Sequence, residues 1–299
     1  VAAVGMDGAL GETMLVNGRA NSRFDLKTSV YRLRLVNGSN SRIYKLAWSD
    51  ATPLVVIATD GGLLEAPVER PYVVLAPGER VELLADFRRY RKGAQVRRVS
   101  LGFTGADSGA MMGSAPLPNG AEFPVFGVRV RRRERKAFTM PARLSTIVRH
   151  RLEDATNAGR PRRLELAMSP HAGWTINGRT FEMDEVAPDE VVRFGTLEAW
   201  DIVNAGVGMH GRGMAHPFHL HGFQFQVVER EVDRRFEAGW RSVADGFVDD
   251  GWKDTVLVMP GERVRLLVRF ADFRGTYVYH CHNLEHADSG MMRNVRVAD

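Results

Sequence analysis

The residues with the strongest chemical character lie within the last twenty positions of the chain. His280, Cys281 and His282 are consecutive, and His286 and Met291 follow five and ten positions after the cysteine. Cys281 is the single cysteine among 299 residues, so it cannot form a disulfide within the chain. Two imidazoles, a thiolate and a weak axial thioether are the ligands of blue-copper electron-transfer sites. The motif therefore predicts a metal site of this kind.

A second group of histidines lies upstream, where His216, His219 and His221 occur in the segment HPFHLHG. His219 and His221 are two positions apart, so in a strand they share one face. Pro217 restricts His216 to extended conformations, and we expect it to aim the His216 imidazole towards the cysteine. Two such motifs in one chain make a chance collection of core or surface histidines improbable.

The position of the cysteine between two histidines has its own consequence. If residues 277–282 form a strand, Cys281 faces one side and both His280 and His282 face the other. A metal ion held by Cys281 and a metal cluster held by the flanking histidines would then be joined by a few backbone bonds. This arrangement suits electron transfer between two centres, whereas a structural zinc site needs one closed tetrahedral shell.

Other candidate ligands carry weaker predictions. Four methionines in glycine-containing loops could bind a soft metal ion near the surface, but ordinary loop composition is the preferred interpretation: Met111, Met112, Met209 and Met214. His150 and His171 stand alone, and we interpret them as solvated histidines.

Composition and charge limit the function classes. With 44% hydrophobic and 26% charged residues the chain is typical of globular proteins, and 299 residues suffice for two domains. No window approaches the ~18 consecutive apolar residues of a membrane span, and no signal peptide pattern precedes Val1. Much of the net charge of +5 comes from the Arg-rich residues 129–136. Stacking aromatics are absent from that run, which favours a solvated linker or strand edge over nucleic-acid binding.

Short β-rich runs separated by Gly, Asn and Pro predict an all-β chain. An internal repeat supports two copies of one unit, because residues 16–19 match residues 176–179 and residues 74–84 match residues 257–267. Tandem β-sandwiches are the simplest account.

The repeat also predicts the division of the chain. We expect a first domain at residues 1–135, an Arg-rich linker at 136–165 and a second domain at 166–299. Every candidate ligand of the two motifs falls in the second domain, and the first has Ser41 to Leu46 where the second has His216 to His221. The first domain is therefore expected to be structural. A long insertion from Glu229 to Gly251 is expected beside the opening of the metal site.

The two motifs resemble those of the multicopper oxidases, the family of laccases, spore-coat laccases, bilirubin oxidases and cuprous oxidases. The patterns HPFHLHG and HCHxxxHxxxxM are highly specific to that family, and the resemblance extends over nearly all of the chain. It is similar to the second and third cupredoxin domains of a three-domain oxidase. The resemblance implies two tandem cupredoxin-like Greek-key β-sandwiches.

The resemblance also implies a role for each ligand. The implied set is type 1 copper at His216, Cys281, His286 and Met291, type 2 copper at His219, and the binuclear type 3 copper pair at His221, His280 and His282. A substrate would be oxidised one electron at a time at type 1 copper. Electrons would then pass through Cys281, His280 and His282 to a trinuclear centre where dioxygen becomes water. Phenols and aromatic amines are the default substrates, and a metal ion such as cuprous ion is the alternative.

The chain departs from the family pattern in two places. The family builds its trinuclear centre from four HxH pairs, and this sequence contains two. We therefore expect a missing N-terminal cupredoxin domain, or a second chain, to supply the others. Ala287 stands where many relatives carry an acidic residue thought to help deliver protons.

Two further expectations follow from the same resemblance. The alternative function is a copper-binding electron-transfer protein without oxidase activity. The family is mostly periplasmic or extracellular, so we expect this protein in one of those places.

Overall fold

The computed structural model describes residues 6–106, 116–206 and 213–299, so the predictions for Met111, Met112 and Met209 lie outside it. Within these ranges strands dominate, which confirms the all-β prediction. The short helical elements are α1 (Glu237–Arg241), α2 (Leu284–Asp288) and three 3-10 turns at Leu152–Asp154, Pro188–Glu190 and Ala244–Gly246. None of these helices is long and apolar enough to cross a membrane.

The first half of the described chain forms one β-sandwich. Its strands are β1 (Leu15–Val16), β2 (Arg19–Ala20), β3 (Arg23–Lys27), β4 (Val30–Val36), β5 (Tyr44–Trp48), β6 (Leu54–Thr59), β7 (Gly62–Arg70), β8 (Val73–Leu75), β9 (Arg80–Asp86), β10 (Gln95–Ser100) and β11 (Phe123–Arg132). The sheets have the orders β3-β11-β10-β5-β8 and β4-β9-β6-β7. Alternation along β9 turns Val81, Leu83 and Ala85 into the core between them.

The second half forms a second sandwich. Its strands are β12 (Arg162–Ser169), β13 (Gly173–Ile176), β14 (Val191–Arg193), β15 (Thr196–Asn204), β16 (His216–Leu220), β17 (Phe225–Val232), β18 (Thr255–Val258), β19 (Glu262–Phe270), β20 (Gly275–Cys281) and β21 (Met292–Ala298). The sheets have the orders β13-β12-β15-β19-β17 and β14-β21-β20-β16-β18. Trp200, Phe218 and Tyr279 fill the core between them.

The two sandwiches repeat one topology. The order β3-β11-β10-β5-β8 of the first matches β14-β21-β20-β16-β18 of the second, strand for strand. In both, the outermost pair (β3 with β11, β14 with β21) is parallel. The hairpin turns at Asn17-Gly18 and Asn177-Gly178 also share left-handed backbone angles, with φ of 51° and 74° in the first and 53° and 73° in the second. Asn-Gly is the dipeptide that such tight turns favour. The predicted internal repeat is thus visible in the fold.

The strand registers correct the predicted alignment of the ligand motif. Tyr44 pairs with Leu75 as His216 pairs with Val258, so β5 is the counterpart of β16 and the match begins at Tyr44, three residues after Ser41. Ser100 lies opposite Leu46 as Cys281 lies opposite Phe218. A hydroxyl in the first sandwich therefore occupies the place of the thiol in the second.

The predicted linker is partly folded onto the second sandwich. β12 begins at Arg162, within the predicted linker 136–165. Ala155 is buried against Leu197, Ala199 and Leu267. Residues 133–151 form no strand or helix.

The insertion from Glu229 to Gly251 packs against the first sandwich. Val243 belongs to an apolar cluster between the sandwiches, together with Tyr72 and Val74. The Lys45 ammonium donates to the backbone C=O of Ser242, 2.7 Å away. The insertion therefore fastens the two sandwiches together.

We predict that Glu262→Ala lowers the free energy of unfolding by about 3–5 kcal/mol, the cost of removing one partner of a buried ion pair. Glu262 is fully buried and accepts hydrogen bonds from Arg230 (2.9 Å), the Trp240 indole (2.7 Å) and the Met259 backbone (2.7 Å). Chemical denaturation measures the change. Glu231→Ala is the control, because that side chain is 68% exposed and its pair with Arg263 is worth at most about 1 kcal/mol. Equal losses in the two variants would contradict the prediction.

Candidate metal centres

Pairing of β16 with β20 positions most of the candidate ligands. Phe218 lies opposite Cys281 and His219 lies opposite His280 in an antiparallel register. Because side chains alternate, Cys281 turns into the sandwich core and His280 turns to the other face. This agrees with the predicted two-sided strand. His216 lies three residues before His219, so alternation alone puts it on the cysteine side, and Pro217 is not needed to redirect it.

The first cluster consists of His216, Cys281 and His286, all buried, with one donor atom of each within 4.8 Å of the others. The Cys281 Sγ lies 3.5 Å from Nδ1 of His216 and 3.5 Å from Nδ1 of His286. Nitrogen and sulfur ligands about 2.0 and 2.3 Å from one ion lie roughly 3.5 Å apart. The spacing therefore fits a single metal ion.

The loop after β20 brings the remaining predicted ligands back to the cysteine. The Cys281 N–H donates to the Met291 C=O (3.0 Å), and the Met291 N–H donates to the His286 C=O (2.9 Å). Met291 is fully buried in the same core cluster as Cys281. Nε2 of His286 donates a hydrogen bond to the Met6 C=O, 2.9 Å away. Nδ1 is therefore the nitrogen whose lone pair can bind a metal ion. A bond at one ring nitrogen fixes which nitrogen can bind metal.

Trp174 is a neighbour of this cluster that the sequence motifs do not reveal. Its ring stacks on His286 with centroids 4.0 Å apart and an interplanar angle of 27°. It also meets the His216 ring edge-on at 5.6 Å. The tryptophan lies on β13, more than forty residues before the first ligand, and carries no metal-binding atom of its own, so no spacing signal could have found it.

Burial sets the protonation of the first cluster. It lowers the pKa of His216 well below the usual range and that of His286 to about 4. Burial also raises the pKa of the Cys281 thiol to about 12. Both effects arise because a buried site disfavours the charged form. At neutral pH the two imidazoles are ready to bind, whereas the thiol must lose a proton.

The second cluster lies on the opposite face of the strand pair and consists of His219, His221 and His280. Nε2 of His221 lies 3.1 Å from Nε2 of His280, close to the roughly 3.3 Å expected of two nitrogens bound to one ion. The His282 ring adjoins them, with its centroid 5.5 Å from those of His219 and His280. All four predicted histidines therefore meet in one place.

Hydrogen bonds orient the rings of this cluster. Nδ1 of His219 donates to the backbone C=O of Asp254, and Nδ1 of His280 donates to the C=O of Cys281, each at 2.9 Å. Their Nε2 atoms are therefore the nitrogens that can bind a metal ion. Burial is the main cause that lowers the pKa of His221 and His282, and it lowers that of His280 to about 4.

Charged residues of the first sandwich support the second cluster. Arg80 binds both carboxylate oxygens of Asp254, at 2.5 and 2.6 Å. Lys253 is buried between Asp60 (3.3 Å) and Glu79 (3.0 Å). Burial alone would raise the pKa of Asp254, but hydrogen bonds from His219 and Arg80 outweigh it and hold that pKa well below its usual range.

A glycine of the first sandwich also adjoins the second cluster. Gly78 has φ of +83°, and a Cβ there would lie 2.5 Å from the His282 ring. A side chain at this position would therefore displace the histidine.

A cavity of about 1040 Å³ opens beside His219 and His221 and is bounded by Trp252 and the linker residue His150. His150 is partly buried, meets the Trp252 ring edge-on at 5.4 Å, and uses its backbone N–H to bind Gln226. The interpretation of His150 as a solvated histidine is therefore wrong. His171 is exposed, as predicted.

Met214 is buried, at 6% exposure, so it offers no surface docking position. Residue 287 lies in α2, and Asp288 beside it is exposed.

Comparison with known proteins decides the family. Residues 155–299 match the model of the multicopper oxidase family. A laccase of Bacillus subtilis (strain 168) is 30% identical over 97% of this chain and 55% of its own length. The multicopper oxidase mco of Staphylococcus haemolyticus (strain JCSC1435) is 31% identical over 98% of this chain and 54% of its own length. The chain belongs to the multicopper oxidase family.

Solved structures of multicopper oxidases show the same fold. The McoA enzyme of Aquifex aeolicus superposes with a TM-score of 0.81, at 32% identity, and the alignment covers 99% of this chain and 62% of that one. The structural relatives support the prediction of cupredoxin-like β-sandwiches. This multicopper oxidase chain spans about half the length of the curated relatives it matches.

Copper is the metal that the family implies, and the donor atoms fit it. The first cluster offers two imidazole nitrogens and a thiolate around one point, the His₂Cys set that suits copper. The second offers imidazole nitrogens, which also suit copper.

We predict that copper binding at the first cluster releases about one proton per ion at pH 7, because only Cys281 must be deprotonated. Both rings are neutral, because the pKa of His286 is near 4 and burial holds the pKa of His216 well below its usual range. The thiol pKa near 12 leaves the cysteine protonated. Apparent affinity should therefore rise by about tenfold per pH unit between pH 6 and 8. Calorimetry in buffers of different ionisation enthalpy counts the protons.

Cys281→Ser is the matched control, since it removes the titrating thiol and should abolish this proton release. Release of two or more protons from the first cluster would contradict the prediction.

Proposed function

We propose that this chain supplies the substrate-oxidising part of a copper-dependent oxidase that uses dioxygen as the electron acceptor. The observation that carries the proposal is the pair of ligand clusters on opposite faces of β20, joined through Cys281. The proposed ligands are His216, Cys281, His286 and Met291 for type 1 copper, His219 for type 2 copper, and His221, His280 and His282 for the type 3 pair.

The protein's own residues provide a short covalent path between the clusters. Copper would supply the one-electron redox chemistry at both ends. The backbone from Cys281 to its neighbours His280 and His282 links the two faces, and the hydrogen bond from His280 Nδ1 to the Cys281 C=O shortens the route on one side. Full burial of Cys281 and Met291 keeps water from the first cluster.

The second cluster needs further ligands to act on dioxygen. The sequence holds two HxH pairs, and the cavity of about 1040 Å³ beside His219 and His221 leaves room for others. We propose that an N-terminal cupredoxin domain, or a second chain, supplies them. The first sandwich, residues 1–135, would act as a structural support joined by the linker 136–165 to the copper domain 166–299.

The substrate and the location belong to the same proposal. Phenols and aromatic amines are the proposed donors, with metal ions as the alternative. A periplasmic or extracellular location is proposed from the family resemblance.

One observation favours a second function. The set of ligands for type 1 copper is complete within this sequence, whereas only two HxH pairs are present for the trinuclear centre. A copper-binding electron-transfer protein without oxidase activity would need no more than the first cluster.

We predict an intense blue thiolate–copper absorption band in the copper-loaded protein, and its complete loss in Cys281→Ser. In a longer form that carries two further HxH pairs, the same substitution should also abolish dioxygen uptake. The thiolate is the chromophore, and serine offers no equivalent ligand. Absorption spectroscopy and oxygen-electrode measurements with a phenolic dye are the tests. His171→Ala, which removes an exposed histidine outside both clusters, should retain both signals.

The oxygen measurement separates the two functions. It is made on this chain alone and on any longer form that carries two further HxH pairs. Dioxygen uptake by the longer form supports the oxidase, and a blue band without uptake in either form supports the electron-transfer protein. Absence of the blue band in the unmodified protein would refute both.

A further inference from the structure

The proposed type 1 ligands are hidden from solvent. Cys281 and Met291 have no exposed surface, His286 is 1% exposed and His216 is 3% exposed. The outer nitrogen of His286 is already bonded to the Met6 C=O, 2.9 Å away. A donor molecule approaching this end of the protein therefore cannot touch a ligand directly, and another group must lie between the two.

Trp174 occupies that intermediate position. It is partly exposed, and its ring stacks on His286 at 4.0 Å and meets His216 edge-on at 5.6 Å. Among the described residues it is the one non-ligand aromatic side chain with a ring contact to either histidine. Its indole thus extends from the ligands to the protein surface.

The backbone holds Trp174 in this place. The residue pairs with Met168 in the β12–β13 hairpin, and β13 begins at Gly173, whose φ is +71°. The hairpin belongs to the sheet opposite the one that carries the cysteine, so the stack closes the end of the sandwich over the first cluster. A ring held by a strand rather than a loop keeps a fixed distance to the histidine.

We propose that an electron-rich aromatic donor docks by stacking on the exposed part of Trp174, and that its electron reaches the type 1 site through Trp174 and His286. The inference rests on the proposed function. Indole rings favour offset stacking on other aromatic rings, which gives a phenol or aromatic amine a preferred contact here.

The redox step balances without any further reagent. A phenol loses one electron and releases its hydroxyl proton to solvent, becoming a phenoxyl radical. Copper held by His216, Cys281, His286 and Met291 would supply the one-electron oxidant and would take up this electron. Trp174 is unchanged at the end of the step.

The test measures bleaching of the blue band by hydroquinone without dioxygen, in a stopped-flow instrument. Anaerobic bleaching reports electron delivery to the type 1 site alone, so it does not depend on the second cluster. Trp174→Leu keeps an apolar side chain and removes the ring, whereas Trp174→Phe keeps a ring. In Trp174→Leu we expect the hydroquinone concentration that gives the half-maximal bleaching rate to rise by roughly five- to tenfold, the scale of one lost aromatic stack. Trp174→Phe should keep this concentration close to that of the unmodified protein.

Two controls separate docking from damage to the copper site. The position of the blue band and the reduction potential are measured in both variants, and the bleaching rates are compared at equal driving force. Phe273→Leu removes another exposed aromatic ring, which is 66% exposed and precedes β20 at the end away from Cys281, a strand length of roughly 20 Å. Its bleaching should match the unmodified protein.

A second readout needs no copper. In NMR spectra of the copper-free protein, the indole N–H resonance of Trp174 is the one that disappears in Trp174→Phe. Nitrobenzene, an aromatic ring that donates no electron, should shift this resonance. It should leave the other tryptophan resonances in place.

The outcomes distinguish failure of the proposed function from failure of the docking proposal. Absence of a blue band in the unmodified protein refutes the proposed function. A blue band with equal bleaching in Trp174→Leu and the unmodified protein overturns the inference alone. The same holds if bleaching by ferrocyanide, a donor without an aromatic face, slows as much as bleaching by hydroquinone.

Discussion

The antiparallel pairing of β16 with β20 is the constraint on which the rest of the site depends. With Phe218 opposite Cys281 and His219 opposite His280, the pleat sends the cysteine and the histidines to opposite faces. A slip of one residue in this register would exchange the two faces and place His280 in the core. The hydrophobic pattern resists such a slip, because Phe218, Leu220 and Tyr279 are all buried.

The two faces give the two clusters different surroundings. The cysteine side is closed by core residues and by Trp174, so burial keeps His216 and His286 neutral and ready to bind a metal ion. The histidine side lies between the two sandwiches and beside a large cavity. One cluster is therefore shielded from water, whereas the other is accessible to further ligands and to a small substrate.

Duplication of one sandwich explains how a domain without ligands serves a metal centre. The two copies share strand order and turns, but Tyr44 and Ser100 stand where the second copy has His216 and Cys281. The first copy instead contributes charge and shape. Glu79 and Arg80 follow the Pro77-Gly78 turn, and Asp60, in the turn between β6 and β7, accepts a hydrogen bond from the Arg80 N–H. Together they bind Lys253 and Asp254 of the second copy.

Because the charges at this contact between the copies are buried, the contact is sensitive to the loss of either partner. Burial alone would lower the pKa of Lys253, but the fields of Asp60, Glu79 and Asp249 outweigh it and raise that pKa above its usual range. Since removing one member of a buried pair leaves the other uncompensated, the network fixes how the sandwiches meet. It thereby fixes the orientation of His219, whose Nδ1 donates to the Asp254 backbone.

The sequence by itself determined the candidate ligands, their division between two faces, the all-β class and the internal repeat. Alternation of two residues is a local property of a strand, so the spacing in HPFHLHG and HCH was sufficient to predict which side chains share a face. The return of His286 and Met291 to the neighbourhood of Cys281 also followed from spacing, because a short loop must bring them back to the same strand end.

Only the tertiary structure decided the contacts between segments that are distant in the chain. Trp174 and Met6 close the first cluster, the insertion at 229–251 joins the sandwiches, and His150 packs against Trp252 although it stands alone in the sequence. The exact match of Tyr44 to His216 likewise needed the strand registers. These features depend on how two sandwiches and their loops pack in space, and no local periodicity records that packing.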